Sequence, residues 1–346
     1  MSKNLLESYN RLFLTILVVV GLGSFFISPS FDNAIMENNM GGGSLLVTIL
    51  SRSRYLLGDQ VYDIALAAKG DWFVYIGQNS MDDFQNVIPF TSQNLIDIQR
   101  KLDHLSTFLQ SQGIQLIVVV PPNKNTIYPE YIPASIPVIG SQSRLDQILS
   151  FERENGQFKV MDLRADLLQA KNEHLTYSPC GTHWTTFGAY IAYRDIMSFL
   201  TKDYPNLKPY GLGDYSFTAS QLETDLVDSE PLGRENCSGI EMDPRYQHQV
   251  ITTQNWIPTL DTSTNFIFPT KITTLNADSS LPRLLMYGDS FANLLRPLLA
   301  DHFSQAVTLL AYPTAKLYTD IEIEKPDVVI IEFTERNLIY LLLLPD

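Results

Sequence analysis

Three short apolar runs, each stopping at a polar cluster, constrain the fold of this chain more than any other feature. Ile114 to Val120 is rich in β-branched residues and ends at Pro121-Pro122. Leu284 to Tyr287 ends at Gly288-Asp289-Ser290, and Val328 to Phe333 ends at Thr334-Glu335-Arg336. Runs of this length and composition read as buried strands. Helical patterns lie between them. Leu95, Ile98, Leu102, Leu105 and Leu109 recur at steps of three and four, and Gly113 closes that helix. The spacing predicts further helices over 144–154, 186–200 and 292–303, and a strand over 158–163. Strands alternating with helices predict an α/β fold, a mostly parallel sheet flanked by helices. Ligands of such sheets gather beyond the carboxyl ends of the strands, where the three polar clusters fall.

The N-terminus sets the expected domain plan. Leu12 to Ile27 is an almost unbroken apolar run, preceded by Lys3 and Arg11 and followed by Asp32 and Glu37. A bilayer-spanning helix needs about 20 apolar residues, with roughly 17 as the lower limit. The reading is a cytoplasmic tail over 1–11, a transmembrane signal anchor over 12–28 and a linker over 29–58. Basic residues before the run place everything after it outside the cytoplasm. The domain proper is expected over 59–346, with an irregular or β-rich insertion at about 211–282, where turn residues are frequent and helical period is lost. A net charge of −14 repels phosphate backbones and excludes nucleic acid as a partner. No H-E-x-x-H and no phosphate-cradling glycine loop occurs, so neither metal nor cofactor is expected. Cys180 and Cys237 form no C-x-x-C pair. In an oxidising compartment they form one disulfide or remain two thiols, and both outcomes stay open at this point.

Gly288-Asp289-Ser290-Phe291 reads as a strand, a tight turn and a helix start. Glycine permits a turn that other residues resist, and free N–H groups at a helix start favour an oxyanion. A nucleophilic serine needs a base. Of five histidines, His104 and His302 fall in helical stretches beside charged residues and are expected at the surface. His248 sits in a polar stretch. His183, in Thr182-His183-Trp184 just before a helix, is the candidate base.

These pieces occur together with Lys69-Gly70-Asp71-Trp72-Phe73-Val74-Tyr75, Val119-Val120-Pro121-Pro122-Asn123-Lys124-Asn125-Thr126-Ile127-Tyr128-Pro129 and Glu335-Arg336. In that order and spacing the chain resembles the alginate O-acetyltransferase family (AlgX/AlgJ-like), from about Gly70 to Leu342. The resemblance implies an SGNH hydrolase-like domain working outside the cytoplasmic membrane. It implies an O-acetyltransferase or acetylesterase acting on an exported polysaccharide, with the acetyl group delivered by a membrane acyltransferase. Ser290 would be the nucleophile and His183 the base. Asn123, Asp289 and Asn293 would form or support the oxyanion site, and Lys124, Tyr128, Trp184 and Arg336 would meet the substrate. One position departs. The family carries an aspartate two residues before the histidine, where this chain has Gly181. Three expectations follow: a carboxylate from elsewhere, such as Glu173 or Asp289, orients His183; a backbone carbonyl does so; or the site is inactive and the chain binds polysaccharide or scaffolds its export.

Overall fold

The computed structural model describes residues 51–155, 158–229, 237–243, 250–256 and 270–346. The chain divides into two compact units, Met1–Ser53 and Arg54–Asp346. The anchor expected over 12–28 lies outside the described residues, as does the linker up to residue 50. Among the described residues no helix is long and apolar enough to cross a membrane.

A short antiparallel pair opens the second unit, β1 (Ala65–Ala67) and β2 (Phe73–Tyr75). Helix α1 (Ser80–Phe84) and the long helix α2 (Ser92–Ser111) follow. Thr91 caps α2, its side chain accepting from the Asn94 N–H at 3.1 Å while Asn94 Oδ1 accepts from the Thr91 N–H. Next come β3 (Gln115–Val120), α3 (Lys124–Ile127), α4 (Arg144–Asn155), β4 (Val160–Asp162), α5 (Arg164–Ala170) and α6 (Thr186–Leu200). Strands β5 (Ser216–Gln221) and β6 (Ser238–Asp243) form a separate antiparallel pair, with α7 (Asp225–Ser229) between them in sequence. The chain then supplies β7 (Val250–Trp256), β8 (Thr270–Asn276), β9 (Arg283–Gly288), α8 (Ala292–Ala300), β10 (Gln305–Leu310), α9 (Lys316–Glu324) and β11 (Val328–Glu332). A 3₁₀ segment, Glu335–Leu343, follows the last strand.

The main sheet has seven strands in the order β4-β3-β11-β9-β10-β8-β7. The first five named run parallel. Strands β8 and β7 add to the β10 edge antiparallel, so the sheet is mixed rather than parallel throughout. Both come from the stretch without clear period; they pair with each other, and β8 pairs with β10.

Alternation along the central strands feeds two cores. Val328 and Ile330 of β11, with Leu284 and Met286 of β9, face α6 and α8 through Phe187, Ile191, Leu295 and Leu299. Val329 and Ile331, with Leu285 and Tyr287, face α2, α4 and α9 through Leu102, Leu105, Leu145 and Leu317. Burial on both faces is why these strands read as unbroken apolar runs, and each such side chain contributes about 1.5–3 kcal/mol. One histidine departs from expectation. His302 is buried, its Nε2 sharing a 2.8 Å hydrogen bond with Tyr193 Oη; the helix ends at Ala300, and the turn after it faces α6.

Candidate active site

Strand β9 passes into α8 through Asp289, Ser290 and Phe291. A Cβ on Gly288 would meet Glu332 Oε2 at 2.6 Å and Ala292 Cβ at 2.8 Å. Space rather than a left-handed backbone therefore demands glycine here; the positive-φ glycines among the described residues are Gly58, Gly70 and Gly113. Glu332 is fully buried, and burial pushes its carboxyl well above the usual carboxylate range. Asp289 clasps the turn. Its Oδ1 accepts from the Phe291 N–H at 3.0 Å, and Oδ2 accepts from the Thr334 N–H at 2.9 Å, Asn337 Nδ2 at 2.8 Å and the Thr334 hydroxyl. Both oxygens are committed to the turn and the segment after β11. Asp289 is thus a support for the turn and does not orient His183.

The histidine loop is held with equal care. Tyr177 and Trp184 form an isolated antiparallel bridge. Thr185 caps α6 by accepting from the Gly188 N–H at 3.1 Å. Trp184 Nε1 donates to the Phe291 carbonyl at 3.1 Å, and the two rings lie 5.3 Å apart. That bond fastens the loop to the serine turn. His183 Nε2 lies 2.7 Å from Ser290 Oγ.

The partner of the other ring nitrogen is Glu223. His183 Nδ1 lies 2.6 Å from Glu223 Oε1, and the His183 N–H donates to Oε2 at 2.9 Å. Burial alone would raise the Glu223 pKa. Hydrogen bonds from His183 and the nearby cationic charge outweigh it and hold the carboxyl below its ordinary value. Gly181 explains how Glu223 fits: a Cβ there would stand 2.3 Å from Glu223 Oε2 and 2.7 Å from its Cβ and Cγ. The space in front of residue 181 is filled by a carboxylate from the segment after β5. Neither Glu173 nor Asp289 nor a backbone carbonyl plays this part.

Serine, histidine and carboxylate in one hydrogen-bonded line can transfer a proton from Oγ to Nε2 while the carboxylate fixes the tautomer. Asp225 belongs to the same corner, its Oδ1 accepting from the Thr182 N–H at 2.7 Å. Ligand atoms of His183, Glu223 and Asp225 lie within 4.8 Å of one another. Of the three, His183 is bonded to both Glu223 and Ser290, and Asp225 to the Thr182 N–H.

Residues 79–322 match the family described as an SGNH hydrolase-like domain, acetyltransferase AlgX. The chain belongs to this AlgX family. A probable alginate O-acetylase AlgJ from Pseudomonas syringae pv. tomato is 22% identical over 261 residues, covering 72% of this chain and 63% of that protein. The chain therefore spans less than two thirds of that relative. Bacillus cereus PatB1, solved with a sulfonyl adduct, superposes with a TM-score of 0.54 at 18% identity, covering 78% of this chain and 96% of PatB1. The O-acetyltransferase domain of Pseudomonas putida AlgJ gives 0.51 at 20% identity, covering 82% and 94%. A DHHW family protein from Eubacterium siraeum gives 0.55 at 14% identity, covering 81% and 93%. These likenesses establish the SGNH-like α/β fold of this AlgX-family chain.

Several residues expected to meet substrate are instead buried framework. Lys124 is 4% exposed and donates through Nζ to the carbonyls of Ser178, at 2.9 Å, and Gly181. Burial lowers its pKa to about 7, against the raising influence of Asp225 and Glu223. Tyr128 is buried against Trp72, its hydroxyl accepting from the Thr176 N–H at 3.0 Å. Trp184 is buried under Phe291. Asn123, expected as an oxyanion donor, spends its side chain elsewhere: Nδ2 donates to Asp83 Oδ2 at 3.0 Å and Oδ1 accepts from Arg336 Nη1 at 3.1 Å. Asn293 is exposed on the first turn of α8.

Arg336 is buried as well, donating to Asn123 Oδ1 and to Gln78 Oε1, each at 3.1 Å, but it also borders open space. Its guanidinium lies 5.0 Å from the Tyr75 ring and 5.3 Å from the Phe291 ring. It lines a cavity of about 560 Å³ together with Gln78, Asn79, Asn337 and Tyr340. Ser290 and His183 do not line this cavity; Asn337, bonded to Asp289, connects the two. Cys180 and Cys237 are joined in a disulfide. Glu223 is the residue that sequence reasoning missed, and nothing in Gln221-Leu222-Glu223-Thr224-Asp225 marks it.

Proposed function

We propose that this chain is an O-acetyltransferase acting on an exported polysaccharide through a serine acyl-enzyme. The observation that carries the reading is the line of Ser290 Oγ, His183 Nε2 at 2.7 Å, and Glu223 Oε1 at 2.6 Å from Nδ1. Ser290 Oγ attacks the carbonyl carbon of an acetyl ester while His183 Nε2 takes its proton. Glu223 holds the imidazole and stabilises the cation that forms. Among the described residues the Ser290 backbone N–H donates to no acceptor, and it is directed at the oxyanion in this reading. His183 then returns the proton to the departing alcohol. In the second half it deprotonates a sugar hydroxyl, which takes the acetyl group from Ser290. Membership of the AlgX family supports transfer over hydrolysis, and the acetyl donor is supplied by a membrane acyltransferase. The cavity at Arg336 receives part of the acceptor sugar.

The working compartment in this proposal is extracytoplasmic, with residues 12–28 as the anchor. The Cys180–Cys237 disulfide supports it, because such bridges persist in oxidising surroundings. A rival reading, a non-catalytic polysaccharide-binding or scaffold protein, draws its motive from Gly181. Glu223 occupies the space in front of Gly181 and removes that motive.

The test is direct. The purified chain is incubated with a chromogenic acetyl ester, with and without acceptor oligosaccharides. The expected result is release of the chromophore, faster with acceptor, and loss of both rates in Ser290→Ala. Equal rates for the two proteins would remove the catalytic reading; a Ser290-dependent rate that ignores acceptor would make the chain an esterase.

A further inference from the structure

Glu223 sits on a segment that the main sheet does not hold. It follows β5 and precedes α7, between the strands of the separate β5–β6 pair. What holds it is a set of bonds to two other segments. The Leu222 N–H donates to the Cys237 carbonyl at 2.8 Å, and the Leu226 N–H to the Cys180 carbonyl at 3.3 Å. Ser178 Oγ donates to the Glu223 carbonyl at 2.6 Å. The disulfide joins the same two segments, its Cα atoms 6.1 Å apart. Cys180 and Cys237 are both buried, packed with Leu226, Val227 and Phe73. The covalent link therefore brackets Glu223 on one side and His183 on the other.

We propose that the Cys180–Cys237 bridge is the positioning element that holds Glu223 on His183, so that the array is complete only in the oxidised chain. The proposal rests on the acyl-enzyme reading above. Glu223 itself lies at the surface, where hydrogen bonds exchange readily with water, and a segment held by such bonds and by the few buried contacts of Leu222, Leu226 and Val227 opens locally. A disulfide across the same gap removes the open arrangements. Reduction breaks one S–S bond and forms two thiols; the two electrons and two protons come from a dithiol reductant, which closes to its own cyclic disulfide. The segment carrying Glu223 is then free to leave, while Ser290 and His183 stay on the main fold. The arrangement makes activity conditional on compartment: the enzyme is weak where thiols stay reduced and complete after export.

The experiment crosses the bridge with the carboxylate. Esterase rates are measured on the full chain for wild type, Glu223→Ala, Cys237→Ala and Cys237→Ala/Glu223→Ala, and for the first two after dithiothreitol treatment. Circular dichroism is recorded at the assay temperature. The expected result is that breaking the bridge lowers the wild-type rate about tenfold or more, to within about twofold of Glu223→Ala, and leaves Glu223→Ala unchanged. A reduced wild type that keeps its rate overturns the proposal. So does a bridge whose loss slows Glu223→Ala equally or unfolds the chain, because it then serves the fold as a whole. An oxidised wild type no faster than Ser290→Ala is a different failure, that of the acyl-enzyme reading.

Discussion

Glu223 reaches His183 through space that only glycine at 181 leaves open. Gly181→Ala would place a Cβ 2.3 Å from Glu223 Oε2, and the carboxylate would have to leave Nδ1. The expected outcome is a loss of turnover close to that of Glu223→Gln, about 10²–10⁴-fold with KM little changed; steady-state kinetics on the two variants check it. Lys124 gives a second expectation. Its pKa is about 7 in the folded chain, below the ordinary 10.5. Between those values the unfolded chain binds more protons than the folded one, so stability rises with pH across the window. Below about pH 7 both states are charged and the full cost of a buried ammonium is felt. Urea denaturation of wild type and Lys124→Met should show the gap moving in favour of wild type from about pH 7 to 9; a flat gap would contradict a buried lysine that discharges. At this scale the sequence was legible where chemistry is local. Ser290 sits in a strand-turn-helix pattern and His183 before a helix. Glu223 was not legible, because its role comes from a contact across 40 positions. The same holds for Asn123, whose side chain is consumed by Asp83 and Arg336, 40 and 213 positions away.

Among the elements, the turn after β9 depends on the segment after β11. Asp289 ties the Phe291 N–H to Thr334 and Asn337. Asp289→Ala strands those donors in a half-buried place, at a cost of about 1–3 kcal/mol. The expected result is a lower melting temperature together with a lower kcat, since the same clasp sets the Ser290 position; calorimetry and kinetics on one preparation test both. Helices and parallel strands could be read from periodicity, and α6 lies over Thr186–Leu200 as the pattern indicates. The antiparallel edge could not. Strand β8 pairs residue by residue with β10, Ile272 opposite Thr308, and neither its length nor its alternation announces that partner.

For the whole molecule, the bridge at Cys180–Cys237 closes a loop with a sequence separation of 57. Loop-closure entropy for such a length is worth about 4 kcal/mol. Chemical denaturation with and without reductant should therefore differ by a few kcal/mol, apart from any effect on turnover. A second long-range tie is the buried pair of Arg144 and Asp83, 2.7 Å apart with side chains 7% and 1% exposed. Asp83→Ala leaves a buried guanidinium and should cost about 3–5 kcal/mol. Neither tie follows from composition or period, since both join positions that only the finished topology brings together.

The order of strands in the sheet carries a last consequence, for the life of the chain before it is fully folded. Strand β11 lies between β3 and β9, with Ile117 of β3 on one side and Met286 of β9 on the other, both opposite Ile330. It is synthesised after both neighbours. A nascent chain that has made β3, β4, β9 and β10 but not β11 lacks the strand that joins β3 to β9, and the edges of those two strands, with Leu116, Ile117, Val118, Val119, Leu284 and Leu285, are then expected to lie unpaired. Such edges invite pairing with other chains. The serine turn, lacking Thr334 and Asn337, keeps only the Asp289–Phe291 bond of its clasp at that stage. Closure and chemical competence arrive together when β11 slides between β3 and β9, so a chain halted before Val328 should be both inert and prone to aggregate.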